Sequence, residues 1–191
     1  MEKYFFMERV LQLVSEGHFF RRAIGVALKA LAIAVGFAAM VGWLFNWKLI
    51  FSYELSGLVG GFIFQLLYVN TIYMVIHTLW IRARDIRMLP ESEYTVVPIV
   101  SIGLKLLGEL YASFVAVMSL AEGLFTAFAA QGAFPLFHGM AFLIPRHEDT
   151  LIGGFSAIMK GEIYAFVGLV FFYFLSESVI VAVDIARNVK K

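Results

Sequence analysis

The sequence contains no cysteine and few charged residues for its length of 191 residues. The absence of thiols excludes disulfides, thiolate nucleophiles, iron–sulfur clusters and zinc sites built on cysteine. Charged residues make up 15% of the chain and hydrophobic residues 61%, whereas soluble domains have about 25% charged and about 45–50% apolar residues. Together with a mean hydropathy of +0.85, this composition predicts a polytopic membrane protein.

The sequence also lacks the signatures of common enzymes. It has no nucleophile–base pair, no glycine-rich loop before a basic phosphate ligand and no HExxH motif. The net charge of +1 gives no reason to expect nucleic acid binding. His77 and His138 fall on opposite sides of the predicted topology and cannot ligate one haem, and residues 147–149 (His-Glu-Asp) lack the spacing of a metal site. We therefore expect neither an enzyme nor a bound cofactor or metal.

Four apolar stretches, near residues 23–46, 54–81, 97–129 and 154–186, exceed the roughly 20 residues that cross about 30 Å of hydrocarbon. Basic residues cluster before the first stretch, after the second and after the fourth: Arg21, Arg22, Arg82, Arg84, Arg87, Arg187, Lys190 and Lys191. The opposite side has only Lys48 and Arg146. The positive-inside rule therefore places both termini and the 82–96 loop in the cytoplasm, most simply of a bacterial-type inner or plasma membrane.

Residues 1–20 are predicted to form an amphipathic helix that lies in the membrane interface. Phe6, Val10, Leu13 and Val14 share one helical face. This segment carries five charged residues and no apolar core followed by a cleavage site, so we expect no cleavable signal peptide. Residues 21–191 are predicted to form a single domain of four transmembrane helices.

The two halves of that domain, residues 21–87 and 97–188, show a weak internal similarity. The matching positions are Ile24-Gly25 with Ile102-Gly103, Lys29 with Lys105, and Gly60-Gly61-Phe62 with Gly153-Gly154-Phe155. An insertion is needed to align all of them. We predict an all-α integral membrane protein built from two helical hairpins that are parallel repeats of each other.

Small residues predict how the helices pack, because helices in lipid associate through close contact. The first helix has a ridge at spacing four, formed by Ala30, Ala34, Ala38 and Gly42, and the second has Gly57 and Gly61. The third helix has a seam with heptad spacing, formed by Lys105, Glu109, Ala112, Ala116, Ser119 and Gly123. This seam fits packing within one chain, or alternatively a subunit interface.

Charged side chains within the apolar stretches are the most unusual feature, since each costs roughly 2.5–3.5 kcal/mol by insertion scales. Glu109 and Glu177 are predicted at similar depth near mid-membrane. Lys105 lies one turn from Glu109 and can neutralise it, and Lys29 and Lys105 can extend their ammonium groups to the interface. Glu177 has no basic residue within a turn on its own helix, so its partner must come from elsewhere.

Other polar residues accompany these charges. Asp184 and Tyr173 share the helical face of Glu177, and the second helix has a polar stripe of Asn70, Tyr73, His77 and Arg84. Nearer the other helix ends, Glu122, Lys160 and Glu162 are predicted to be hydrated interface anchors.

Two functions fit this pattern. The first is a channel- or transporter-like homo-oligomer that handles ions or protons through the mid-membrane carboxylates. The second is a non-catalytic membrane subunit or scaffold whose buried charges pair with partner helices. The first is slightly favoured because Glu177 lacks a local partner. The expected partners are the lipid bilayer and either further copies of the chain or other membrane subunits.

Overall fold

The computed structural model describes residues 18–90, 96–129 and 150–189, and these residues form four α-helices and no strand. The helices are α1 (His18–Ile50), α2 (Leu55–Arg87), α3 (Val96–Ala129) and α4 (Leu151–Val189). Each is long and apolar enough to cross a membrane. At a rise of 1.5 Å per residue, α1 to α3 are about 50 Å long and α4 is about 58 Å long, well beyond the roughly 30 Å of hydrocarbon.

The helices extend beyond the apolar stretches because local signals, and not hydropathy, end them. α2 continues through its basic residues to Arg87, and Pro90 follows shortly after the helix. α4 begins at Leu151 because the Thr150 hydroxyl accepts a hydrogen bond from the Gly153 N–H at 2.9 Å, which caps the helix. The start of α1, the end of α2, the start of α3 and the end of α4 lie together; we call this the basic end and the opposite end the far end.

Neighbours in sequence are also neighbours in space. α3 packs most extensively on α4, α2 packs on α3, and α1 packs on α2, while the remaining pairs of helices touch only marginally. The described helices therefore form an open row, with α1 and α4 at its two edges, and the row does not close by contact between α1 and α4.

The interface between α3 and α4 is made close by small residues. Gly154 lies against the Gly123 carbonyl, and Gly161 lies against Ser119. The buried residues of α4 are all small: Gly153, Gly154, Ala157, Gly161, Ala165 and Ser176. Nearer the basic end, the Ser101 and Ser176 hydroxyls are 2.7 Å apart and the Ser176 hydroxyl donates to the Ser101 carbonyl at 3.0 Å. This small-residue face of α4 was not among the predicted packing positions.

α1 meets α2 through a different face from the predicted ridge. Its buried positions Gly25, Ala32, Ala39 and Asn46 recur every seventh residue. The ridge residues Ala30, Ala34 and Ala38 are exposed, and Gly42 is half-buried beside the Tyr68 hydroxyl.

Polar and small residues of α2 complete the contact with α1. Tyr68 donates to the Ala39 carbonyl at 3.2 Å and Gln65 donates to the Trp43 carbonyl at 3.0 Å. Gly61 lies against Ile50, and Gly57 lies against Tyr53 in the short connection between the two helices. On α3, Ala112 and Ala116 are half-buried.

The predicted interfacial helix at residues 1–20 lies almost entirely outside the described residues, since only its last three positions fall within α1. The internal duplication stays a prediction. Its matching glycines have different surroundings, because a Cβ at Gly25 would meet the Arg87 side chain whereas one at Gly103 would meet nothing within 4 Å.

The close approach of α3 and α4 can be tested at Gly154. A Cβ there would lie 2.6 Å from the Gly123 carbonyl oxygen, a backbone atom that cannot rotate away. We expect Gly154→Ala to destabilise the protein by about 1–3 kcal/mol, as overpacking does in other tightly packed interfaces. The unfolding midpoint in detergent, followed by tryptophan fluorescence, measures this loss. Gly103→Ala is the matched control and should keep the midpoint or raise it slightly, because its Cβ meets no atom and alanine favours a helix over glycine. Equal midpoints for both variants would contradict the tight interface.

Candidate functional site

One carboxylate within the helices is held by a network that joins three of them. Arg82 of α2 donates from Nε to Glu109 Oε2 at 2.8 Å, and its Nη2 forms an ion pair with Glu109 Oε1. Tyr173 of α4 donates its hydroxyl proton to the same Oε1 at 2.7 Å. Arg82 Nη1 also donates to Asp85 at 3.0 Å. We call Arg82, Asp85, Glu109 and Tyr173 the Arg82 network.

Arg82 rather than Lys105 supplies the hydrogen bonds to Glu109. The planar guanidinium presents a fork that matches both oxygens of a carboxylate, which an ammonium group cannot do. Lys105 Nζ instead lies 5.4 Å from the centre of the Tyr173 ring, in a cation–π contact that leaves it beside the network. The predicted pairing of Lys105 with Glu109 is thereby replaced by an interhelical pair, and Arg82, interpreted as a loop residue from the sequence, is a structural partner.

The polar stripe of α2 lies on a different face from the Arg82 network. Asn70, Tyr73, His77 and Arg84 are all exposed. The Tyr73 and His77 rings stack with centroids 5.6 Å apart. Lys29 of α1 reaches the same side, with its Nζ 5.1 Å from the centre of the Trp80 ring. The structure therefore does not bring this stripe together with Glu109.

Glu177 and Asp184 are exposed on α4. Among the described residues, no hydrogen bond or ion pair to the Glu177 carboxylate is formed. Glu177 follows Ser176, which pairs with Ser101, and Gly108 lies level with Phe172, so Glu177 lies about 9–12 Å nearer the basic end than Glu109. The same distance from Arg82 toward the basic end along α2 would lie beyond Arg87, where α2 ends. The two carboxylates therefore lie at different levels along the helices. The sequence-based estimate took Arg187 as the membrane surface, whereas α4 continues at the basic end beyond the level at which α2 ends.

The structure buries three polar residues that the sequence patterns did not identify as buried. Asn46, Gln65 and Glu122 each keep only 3% of their surface exposed, in the halves of α1, α2 and α3 nearer the far end. The prediction that Glu122 is a hydrated anchor is wrong, since α3 turns it into the protein, whereas Lys160 and Glu162 are exposed. A polar residue at heptad spacing, such as Asn46 after Ala32 and Ala39, was the available signal.

The charged residues within the helices fall into two bands. The basic-end band contains Lys29, Arg82, Lys105, Glu109 and Glu177, and the far-end band contains Lys48, Glu122, Lys160 and Glu162. Members of the two bands are separated by about 28 Å along α1, about 20–25 Å along α3 and about 22–25 Å along α4. The largest of these separations approaches the roughly 30 Å of a hydrocarbon core. Within residues 18–90, 96–129 and 150–189, no three His, Asp or Glu side chains form a group that could hold a metal ion.

A double-mutant cycle can measure the central pair of the network. We expect Arg82→Met and Glu109→Gln to destabilise the protein singly, and to show a coupling free energy of about 1–3 kcal/mol when combined. The free energy of unfolding in mixed micelles is the measurement. Arg84→Met is the matched control, because Arg84 is exposed on the other face of α2, and it should be additive with Glu109→Gln to within about 0.5 kcal/mol. Additive losses for Arg82→Met and Glu109→Gln would show that the pair contributes nothing.

No protein-family model matches this chain, and no curated protein or solved structure shows significant similarity to it. Its function is therefore inferred from the placement of its own residues.

Proposed function

We propose that the protein is a non-catalytic membrane subunit that assembles with further transmembrane helices, either of another copy or of other subunits. The observation that carries the proposal is the open row. α1 and α4 each pack extensively on one neighbour only, and only 6% of the most apolar part of α4 is buried. Within the described residues, both edges of the row are therefore open to another helix.

The outward face of α4 supports assembly at that edge. Glu177 lies there between Phe174 and Val181, which are 65% and 55% exposed. A carboxylate that lies on an apolar helix face without a partner among the described residues is expected to pair across an interface, or to reach water at the helix end. The first outcome makes Glu177 an assembly residue.

Ion or proton handling is the second candidate, and the Arg82 network is the observation in its favour. The Arg82 and Glu109 side chains keep about a fifth of their surface exposed, so the titratable cluster is open to the outside of the row. The two bands of charge weigh against it within one chain. Between them, α3 presents the buried apolar residues Val115 and Met118, so a path would have to form between copies.

We further propose that the basic end faces the cytoplasm of a bacterial-type inner or plasma membrane. Arg21, Arg22, Arg84 and Arg87 lie at this end, whereas the far end has Lys48 of α1 and Lys160 of α4 among the described residues. This asymmetry supports a cytoplasmic position for both chain termini.

Association can be tested with two matched glutamates of α4. Glu177 and Glu162 are both exposed, but only Glu177 belongs to the basic-end band. We expect native mass spectrometry of discs cut from the membrane to show the wild-type chain with at least one further copy or subunit. Glu177→Gln should weaken that association by about three- to tenfold, since it removes one charge-assisted contact, and Glu162→Gln should leave it unchanged.

Two results would contradict the subunit proposal. One is a wild-type chain that is alone in its discs. The other is a flux of protons or cations into liposomes that Glu109→Gln abolishes, which would favour the second candidate instead. Equal weakening by both glutamine variants would show that Glu177 has no specific role.

The absence of cysteine makes the topology testable with single introduced thiols. Ser52 is exposed between α1 and α2 at the far end, and Met88 is exposed just after α2 at the basic end. We expect a membrane-impermeant maleimide to label Ser52→Cys in intact cells and Met88→Cys only after the membrane is opened. The reverse pattern would place the basic end outside and overturn the orientation.

A further inference from the structure

A groove of about 400 Å³ lies on the exposed side of α1 and α2, within the reach of the basic-end band. Its walls are mostly apolar and include Ile76 and Ile81, while Tyr73 and Trp80 line it with rings that are 64% and 47% exposed. The groove therefore opens on the side of α1 and α2 that faces away from the other helices. In a chain whose helices span a membrane, this side faces the bilayer.

The groove is positively charged. Lys29 and Arg84 both line it, and His77 adds an imidazole. None of the described residues that line it is acidic. Of the acidic side chains that the structure describes in α2 and α3, Asp85 and Glu109 are bound by Arg82, which lies on the other side of α2. Lys29 and Arg84 consequently form no ion pair with a described residue, although Lys29 contacts the Trp80 ring.

Charge and apolar surface are separated along the groove. Arg84 lies nearest the basic end, Lys29 and Trp80 lie level with each other one turn further in, and Tyr73 lies deepest. The spacing from Arg84 to Tyr73 along α2 is about 16 Å. A phosphate next to Arg84 and Lys29 would thus stand at the membrane surface, with an acyl chain running inward past Ile76 and Tyr73. Tryptophan at the phosphate level is typical of the bilayer interface.

We propose that this groove binds an anionic phospholipid, with its phosphate between Lys29 and Arg84 and one acyl chain along Ile76. Basic pockets between transmembrane helices recognise anionic headgroups in this way. The apolar walls and the sideways opening select a lipid over a soluble phosphate, since a soluble anion gains nothing from the isoleucine and tyrosine surface.

Quenching of Trp80 fluorescence by brominated lipid can test the site directly. Trp43 and Trp47 lie near the far end, so the difference between the wild type and Trp80→Phe isolates the Trp80 signal in vesicles of phosphatidylcholine and phosphatidylglycerol. We expect brominated phosphatidylglycerol to quench Trp80 more strongly than brominated phosphatidylcholine at equal mole fraction. Lys29→Gln and Arg84→Gln should each lower the relative affinity about fivefold, and both together about 30-fold.

Lys48→Gln is the control, because Lys48 is an exposed cation near the far end, and it should leave the preference unchanged. Equal quenching by the two lipids would overturn the proposal. So would a preference that survives in the Lys29→Gln, Arg84→Gln double variant. A preference that millimolar glycerol phosphate removes would assign the groove to a soluble phosphate and overturn the choice of a lipid.

Discussion

The Arg82–Glu109 pair is the contact on which the arrangement of three helices depends. Lipid tails are as apolar as leucine, so burial of apolar surface cannot hold helices together, and specific contacts must do so. Arg82 binds Glu109 from α2 and Tyr173 binds the same carboxylate from α4. Rotation of α2 or α3 would separate the guanidinium from its carboxylate, and rotation of α4 would withdraw the Tyr173 hydroxyl from the same carboxylate. The pair therefore fixes the rotation of α2, α3 and α4, and the glycines of α4 then allow α3 to approach closely.

The two bands of charge explain why charged residues occur within the apolar stretches of the sequence. Each helix is about 50 Å or longer, so it must protrude from a hydrocarbon core of roughly 30 Å. Charges that seemed to lie inside apolar stretches, such as Lys29 and Lys105, then belong to the surface level of long helices. Arg82 and Glu109 are the members of their band that turn toward the other helices, each with about a fifth of its side chain exposed, and they bind each other. Burial and pairing coincide, as the cost of burying a charge requires.

The number and type of the helices could be predicted from hydropathy, because about 20 apolar residues suffice to define a span. The helix ends could not, since caps such as Thr150 and the position of Pro90 set them independently of the bilayer. The partner of Glu109 was also hidden. Lys105 on the same helix satisfied the local rule for ion pairs, while Arg82 was counted only as a topological signal. The position of α2 relative to α3 decides whether Arg82 or Lys105 binds Glu109. Neither the spacing of residues nor the composition of the sequence gives that position.

α1 shows why small residues alone do not identify an interface. It has two small-residue stripes, one at spacing four through Ala30, Ala34 and Ala38, and one at spacing seven through Gly25, Ala32 and Ala39. α2 takes the second stripe, because Arg87 fits over Gly25 and the Tyr68 hydroxyl reaches the Ala39 carbonyl. Specific partners on the facing helix thus decide which stripe is buried. The other stripe remains on the edge of the row, and it is the part of α1 that a further helix can approach most closely.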